Sequence, residues 1–435
     1  MTQDHASRRR RRLTATVTDL EVAIQRAFLV GVELPGMSTV EAERSLDELA
    51  LLTDTAGSNP VDRELVRRHR VDAATYVGSG KVEELATLTK ALDIDVVVFD
   101  NQLTPAQQRN LQKLFGCDVV DREGLILDIF AQHAHTKVGA LQVELALHRY
   151  NLPRLRGKGT SLSQQGAGVL ARGPGETKLE TDRRRILQRM SKLERELKET
   201  VRHRETQSKS RRRSEIPQVS IVGYTNAGKS TLLNSLTDAG VLVEDRLFAT
   251  LDSTVRRLDL PDNRPVLIAD TVGFVRRLPH HLVEAFQSTL AQVAEADLLL
   301  HVVDGSSDDP AGQIAAVREV LEEIGAAGVP ELIAFNKSDA VSPQGLDRLA
   351  NLYPDAVVIS ALTGAGLDEL LARIAERLQR AMVTLTLELP YSRGDLVAAA
   401  HRLGEVIEEK GDDNGLILEV RIPESARAQF AQYSR

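Results

Sequence analysis

Residues 223 to 231 read Gly223-Tyr224-Thr225-Asn226-Ala227-Gly228-Lys229-Ser230-Thr231, and the mostly apolar run 219–222 stands just before them. A buried strand that enters a helix at Lys229 through a turn with two fixed glycines is a phosphate-binding loop in its expected setting. Gly223 and Gly228 let the backbone curl with its N–H groups inward, Lys229 reaches the β- and γ-phosphates, and Ser230 offers its hydroxyl to Mg²⁺. Asn226, Ala227 and the helix N-terminus after them add dipolar attraction for an anion.

Working downstream, apolar segments at 219–222, 266–269, 298–303, 332–335 and 356–359 alternate with helical stretches. Strands this apolar predict a parallel sheet covered on both faces, with ligands at the carboxyl ends of the strands. Functional residues are therefore expected just after each strand. Asp270-Thr271-Val272-Gly273 follows the second: Asp270 holds Mg²⁺ through water, and the Gly273 N–H senses a γ-phosphate. Asn336-Lys337-Ser338-Asp339 follows the fourth and selects the base. The Asp339 carboxylate accepts from both N1–H and the exocyclic amino group of guanine, whereas adenine presents an acceptor at N1 and no amino group at C2. A buried polar mismatch of that kind costs on the order of a few kcal/mol, so GTP is expected and ATP is not. Ser360-Ala361-Leu362 after the last strand is placed for backbone N–H groups to meet the guanine O6.

Between the loop and Asp270, the run Phe248-Ala249-Thr250 with Leu251 and Asp252 is where a switch threonine belongs. Thr250 would complete the Mg²⁺ shell in the GTP state and let go after hydrolysis, which makes Lys229, Thr250 and Gly273 the expected catalytic set, and Ser230, Thr250 and Asp270 the metal set. Phe274 stands where many Ras-type GTPases carry the glutamine that orients water. Phenylalanine cannot orient a nucleophile, so intrinsic hydrolysis is expected to be slow until a partner supplies the missing group.

Upstream the character differs. In 183–213, 13 lysines and arginines face 4 glutamates, a net +9 in a chain of net −7. Ile186, Met190, Leu193, Leu197 and Val201 recur at helical spacing, which predicts a basic amphipathic helix packed on a neighbour and an anionic partner for its outer face. Before it, 153–181 interleaves glycines with arginines and lysines and reads as a flexible basic loop. Further back, 27–34 and 95–99 read as strands and 40–52 and 104–114 as helices, an α/β unit, while Gly78-Ser79-Gly80-Lys81 lacks the upstream glycine of a phosphate loop and reads as a turn. His133, His135 and His148 show no metal-binding spacing. The 435 residues suggest about three domains. The single cysteine, Cys117, excludes an internal disulfide. Arg8 to Arg12 lack an apolar stretch behind them, and no apolar run approaches bilayer length, so a cytoplasmic protein with no membrane span is expected.

The loop 223–231, the Phe248 to Asp252 switch, Asp270-Thr271-Val272-Gly273-Phe274 and, above all, the block 172–184 with its Glu-Thr-Lys-Leu-Glu-Thr-Asp core resemble the HflX family of ribosome-associated GTPases over about 25–380. That resemblance implies an N-terminal α/β domain, a glycine-rich loop, a two-helix coiled coil and a translation-factor-type G domain. It also implies binding to the 50S subunit and its rRNA, splitting or rescue of stalled ribosomes under stress, and stimulation of hydrolysis by the ribosome. The expected architecture is a multidomain α/β chain: a disordered basic tail at 1–20, an N-terminal α/β domain at 21–152, a basic loop and helical coiled-coil connector at 153–214, a Ras-like P-loop GTPase domain at 215–380, and a small C-terminal α/β domain at 381–435. The last is read from strand-like 383–389, a helix around 396–410 and strand-like 416–422. A monomer is the expectation for the free chain. The competing reading is an RNA-binding ribosome assembly or remodelling factor with GTP as a structural ligand; a signalling GTPase with a protein partner is weaker, because of the basic connector.

Overall fold

The computed structural model describes residues 24–134, 136–155, 174–212, 216–237, 247–248, 254–276, 290, 293–380, 382–411, 415–423 and 427–434. Three sheets organise them. The first contains β1 (Gln25–Glu33), β2 (Ser58–Arg67), β3 (Val96–Phe99) and β4 (Asp118–Asp121), all parallel, in the order β2-β1-β3-β4. Along β1, Ala27 and Leu29 join a core with Leu46, Leu49 and Leu52 of α1 (Thr39–Thr55). Phe28 and Val30 join the opposite core with Val82 and Leu85 of α2 (Ser79–Ala91) and Leu111 of α3 (Pro105–Phe115). Successive strand residues point to opposite faces, and both faces are apolar because helices cover both. Helix α2 begins at Ser79, so Gly78 is its N-cap and Ser79-Gly80-Lys81 form its first turn and not a separate turn before it; Lys81 donates to Glu64 and Glu84 at 2.8 Å each, so its ammonium is held by carboxylates.

Next come α4 (Arg122–His133), α5 (Lys137–Asn151) and the 39-residue α6 (Pro174–Arg212). Leu141 and Leu145 of α5 bury Leu193 of α6 with Met190 beside it, and Arg189 grips Glu144 through two bonds of 2.7 Å. Met190 and Leu193 belong to the face the spacing predicts to be packed, while Ile186 and Leu197 are half-buried. The helix starts earlier than the sequence suggests: 174–181 belongs to α6 and not to the flexible loop. Pro174 explains the start, since a first helical residue needs no intrahelical N–H and proline's fixed φ suits it. The remaining glycine-rich stretch, 156–173, lies outside the described residues, as do 1–23 and His135.

The second sheet has β5 (Gln218–Gly223), β6 (Val255–Asp259), β7 (Pro265–Asp270), β8 (Leu298–Asp304), β9 (Glu331–Asn336) and β10 (Val357–Val358), in the order β10-β9-β8-β5-β7-β6. Five of its strands run parallel, but β6 is antiparallel to β7, so the sheet is mixed and not wholly parallel. Its helices include α7 (Lys229–Thr237), α8 (Pro310–Glu323), α9 (Pro343–Leu352) and α10 (Leu367–Arg380). The third sheet is antiparallel, β11 (Met382–Pro390), β13 (Gly415–Pro423) and β12 (Glu405–Gly411) in that order, with α11 (Gly394–Leu403) packing Leu396, Ala399 and Ala400 on Leu387, Leu418 and Val420. Here the expected helix over 396–410 is wrong beyond Leu403. Gly404 adopts extended backbone so close to β13 that a Cβ would lie 2.1 Å from the Arg421 oxygen, and 405–411 continue as a strand. No helix among the described residues is long and apolar enough to cross a membrane.

Candidate guanine-nucleotide site

β5 delivers the loop and α7 carries it away. Gly223 (φ 152°) faces the Val302 carbonyl, where a Cβ would sit 2.1 Å from the oxygen; Gly228 (φ 89°) would place a Cβ 2.2 Å from Asn336 Nδ2. Neither position has room for a side chain. Asn226 is also left-handed, at φ 59°, a conformation that asparagine tolerates better than most residues. The resulting curl brings Lys229 Nζ back over its own loop, donating to Gly223 O at 3.1 Å and Tyr224 O at 2.8 Å. Burial pushes the ammonium down to about 8, with Asp270 pulling the other way. A polyanion at Nζ would supply the charge compensation that the buried ammonium lacks. Thr225 Oγ1 is buried without a hydrogen-bond partner, a further polar group in the loop.

At the ends of the neighbouring strands the other motifs converge. Ser230, which opens α7 with Lys229 and Thr231, donates to Asp270 Oδ2 at 2.6 Å. Thr271 donates its hydroxyl to Ile221 O at 2.6 Å and Val272 is buried, so this stretch is fastened to β5. Gly273 sits against the loop, where a Cβ would meet Thr225 Cγ2 at 2.8 Å and Lys229 Nζ at 3.0 Å. Phe274 then pairs with the loop as a strand would: its N–H donates to Gly223 O at 3.1 Å and its carbonyl accepts from Thr225 N–H at 2.7 Å. Its ring is 1% exposed, which takes it away from any water-filled cavity.

The residues expected to select the base form a second cluster. Asn336 donates to Ala227 O at 2.8 Å and accepts from the Ala361 N–H at 2.8 Å, tying the phosphate loop to the 360–362 loop. Lys337 is left-handed and its ammonium lies 2.8 Å from Asp304; Ser338 N–H is held by Ile359 O. Asp339 Oδ1 accepts from Ser360 Oγ at 2.5 Å, so its carboxylate is fixed beside that loop. Leu362 is 78% exposed, so it can contribute backbone but no buried side chain to a base pocket.

Phe248 departs from the expected switch position. It is left-handed, buried, and stacks edge-on to Phe130 of α4 at 4.7 Å, while Leu247 N–H donates to Thr55 Oγ1 of α1 at 3.3 Å. Ala249 and Thr250 lie outside the described residues. The donor set fits Mg²⁺ as far as it is described: a hydroxyl and a carboxylate meet at Ser230 and Asp270, both hard oxygen ligands, and a nucleotide's Mg²⁺ takes most other oxygens from phosphate and water. No group of three or more His, Cys, Asp or Glu that could hold a metal by itself occurs among the described residues.

Sequence reasoning missed the groups that join this site to the first sheet. Tyr224 is a phosphate-loop residue in the sequence, yet its hydroxyl donates to Glu48 of α1 and accepts from the Arg276 N–H at 2.8 Å. Arg122, Asp100, Arg44 and Asp309 lie on the same seam. No local signal marks them, because each reads as an ordinary charged residue until the units meet.

Four family models match in succession: GTP-binding GTPase N-terminal over 43–131, GTP-binding GTPase Middle Region over 133–211, 50S ribosome-binding GTPase over 218–337, and HflX C-terminal domain over 346–432. The chain is 44% identical over 400 residues to a GTPase HflX of Caldanaerobacter subterraneus, covering 92% of this chain and 91% of that one. With a GTPase HflX of Escherichia coli it shares 44% identity over 381 residues, 87% and 89% of the two chains. A crystal structure of a GTP-binding protein from the archaeon Sulfolobus solfataricus, in complex with GDP, aligns with 82% of this chain and 99% of its own at 25% identity, with a TM-score of 0.43.

Proposed function

The chain belongs to the HflX family and is a GTPase, and from that premise we propose that its hydrolysis of GTP is gated by the large ribosomal subunit. The observation that carries the gating is Phe274. Its ring is buried and its backbone is committed to the phosphate-binding loop, so it offers the attacking water nothing. A partner that supplies the missing group, or moves the loop that carries it, would turn a slow enzyme into a switch. The basic face of α6 supports rRNA as what that partner presents, and the model matched over 218–337 is described as a 50S ribosome-binding GTPase.

In this reading Lys229 neutralises phosphate charge, the loop from Gly223 to Thr231 cradles it, and Gly273 senses the γ-phosphate. Ser230 and Asp270, with Thr250, would hold Mg²⁺, which when bound would supply positive charge against the charge that develops on the transferred phosphoryl group. Asn336 and Asp339, braced by Ser360 and Ala361, hold guanine. The protein works as a cytoplasmic monomer that uses the GTP state to engage 50S subunits, splitting or rescuing stalled ribosomes under stress.

The test is phosphate release by the full chain with and without purified 50S subunits, alongside sedimentation with 70S and separated subunits in GDP and in a non-hydrolysable GTP analogue. The expected result is acceleration by 50S of at least about tenfold and co-sedimentation that favours the analogue. No acceleration by 50S removes the gating. The assembly-factor reading, favoured by the +9 segment, would instead give RNA binding that survives Lys229→Ala and falls steeply with salt.

A further inference from the structure

Open α/β sheets take ligands outside the carboxyl ends of their strands, where successive connections leave to opposite sides. In the first sheet that place lies between β1 and β3, because β1 is flanked by β2 on one side and β3 on the other. Polar side chains gather there. Asp100, just past β3, accepts from Ser45 Oγ of α1 at 2.7 Å and from Arg122 Nη1 at 2.6 Å, and Arg122 pairs through Nη2 with Glu48. Arg122 is 3% exposed, and its Nε is buried without a partner. The crevice is occupied from within the molecule. Tyr224, second residue of the phosphate-binding loop, reaches across 176 positions of sequence to donate its hydroxyl to Glu48.

That phenol is fully used, donating to Glu48 and accepting the Arg276 N–H. A parallel connection starts one turn earlier on α1: Arg44 pairs with Asp309 Oδ2 at 2.9 Å, and the same oxygen takes Arg276 Nη2 at 2.5 Å. Arg44 and Glu48, four residues apart on one face of α1, therefore hold the side chain and, through Tyr224, the backbone of Arg276. Arg276 lies in the segment that begins at Gly273, and the Phe274 pairing locks the same segment to the tyrosine's own backbone.

We infer that Tyr224 is a positioning residue that couples the γ-phosphate to the placement of the N-terminal unit, an inference that rests on the reading of Gly273 as the phosphate sensor. Movement of Gly273 toward a γ-phosphate draws the Arg276 N–H from the phenol and weakens the hold of Glu48 and Arg44. The N-terminal unit is then held more firmly in the GDP state than in the GTP state. Reciprocity follows: whatever pulls the N-terminal unit away changes the preference between GTP and GDP by the same factor.

The test uses the full chain without ribosomes: amide hydrogen exchange of 39–55 with GDP and with a non-hydrolysable GTP analogue plus Mg²⁺, and the ratio of the two affinities. In the native protein α1 is expected to exchange faster with the analogue. Tyr224→Phe keeps the ring and removes the hydroxyl; it is expected to abolish that difference and shift the affinity ratio about fivefold or more. Glu48→Gln combined with Tyr224→Phe is expected to add little to either single change. Unchanged ratio and unchanged nucleotide-dependent exchange in Tyr224→Phe, with only a lower Tm, would make the contact structural and overturn the coupling. Failure of 50S to stimulate hydrolysis would leave this test intact, since no ribosome enters it.

Discussion

Lys229, the proposed phosphate ligand, is a buried cation in the nucleotide-free chain. Because burial lowers it to about 8 from an ordinary 10.5, the unfolded chain keeps a proton that the folded chain releases between those values. Stability of the nucleotide-free protein therefore carries the full penalty below about 8 and recovers as pH rises toward 10.5. Lys229→Met is expected to abolish GTP binding and yet raise nucleotide-free stability at pH 7 by about 2–3 kcal/mol, with the gap to the native chain narrowing at pH 9.5. Thermal unfolding at the two pH values checks the sign; a gap that widens with pH refutes it. The residues of this site were legible because each motif is a short contiguous run at the end of an apolar strand, so Lys229, Asp270, Asn336 and Asp339 could be placed from order alone. What was not legible is what they touch. That Asn336 braces Ala227, and that Tyr224 has a side-chain partner at all, are contacts across 109 and 176 positions, and no local pattern encodes them.

At the level of elements, the same rule separates success from failure. Strands β1, β3, β5, β7, β8 and β9 are buried and apolar, and a reader looking for such runs finds them. The edge strand β2 buries only Val66 and β6 only Leu258, so neither stands out as an apolar run. For 405–411 the glutamates suggest helix, and it is Gly404, pressed against β13, that ends α11 and turns the chain into a strand. That α6 packs an apolar face on a neighbour is legible from spacing, but not that the neighbour is α5; Leu193, 0% exposed, is the most buried residue of that contact. Leu193→Ala is expected to cost about 2–4 kcal/mol locally. The measurement is hydrogen exchange over 137–151, which should accelerate while 218–237 stays protected; uniform acceleration would mean that α6 is not held through this contact.

Across the whole molecule, the first and second sheets share one apolar core in which Phe130, Phe248, Tyr224 and Phe274 belong together with Leu29 and Val317. Such a core favours unfolding of the two units as one cooperative block. Phe130→Ala, expected to cost about 3–5 kcal/mol, should split the calorimetric transition of the nucleotide-free chain into two. A single transition shifted down as a whole would show that the polar seam alone keeps the units together. The basic helix has its own consequence at this scale. With +9 on 183–213 in a chain of −7, the remainder carries −16. A polyanion is thus attracted by one segment and repelled by the net charge of the rest. In the field of any polyanion the protein experiences torque as well as attraction, and it turns helix-first before contact, so that its approach is already oriented when collision occurs.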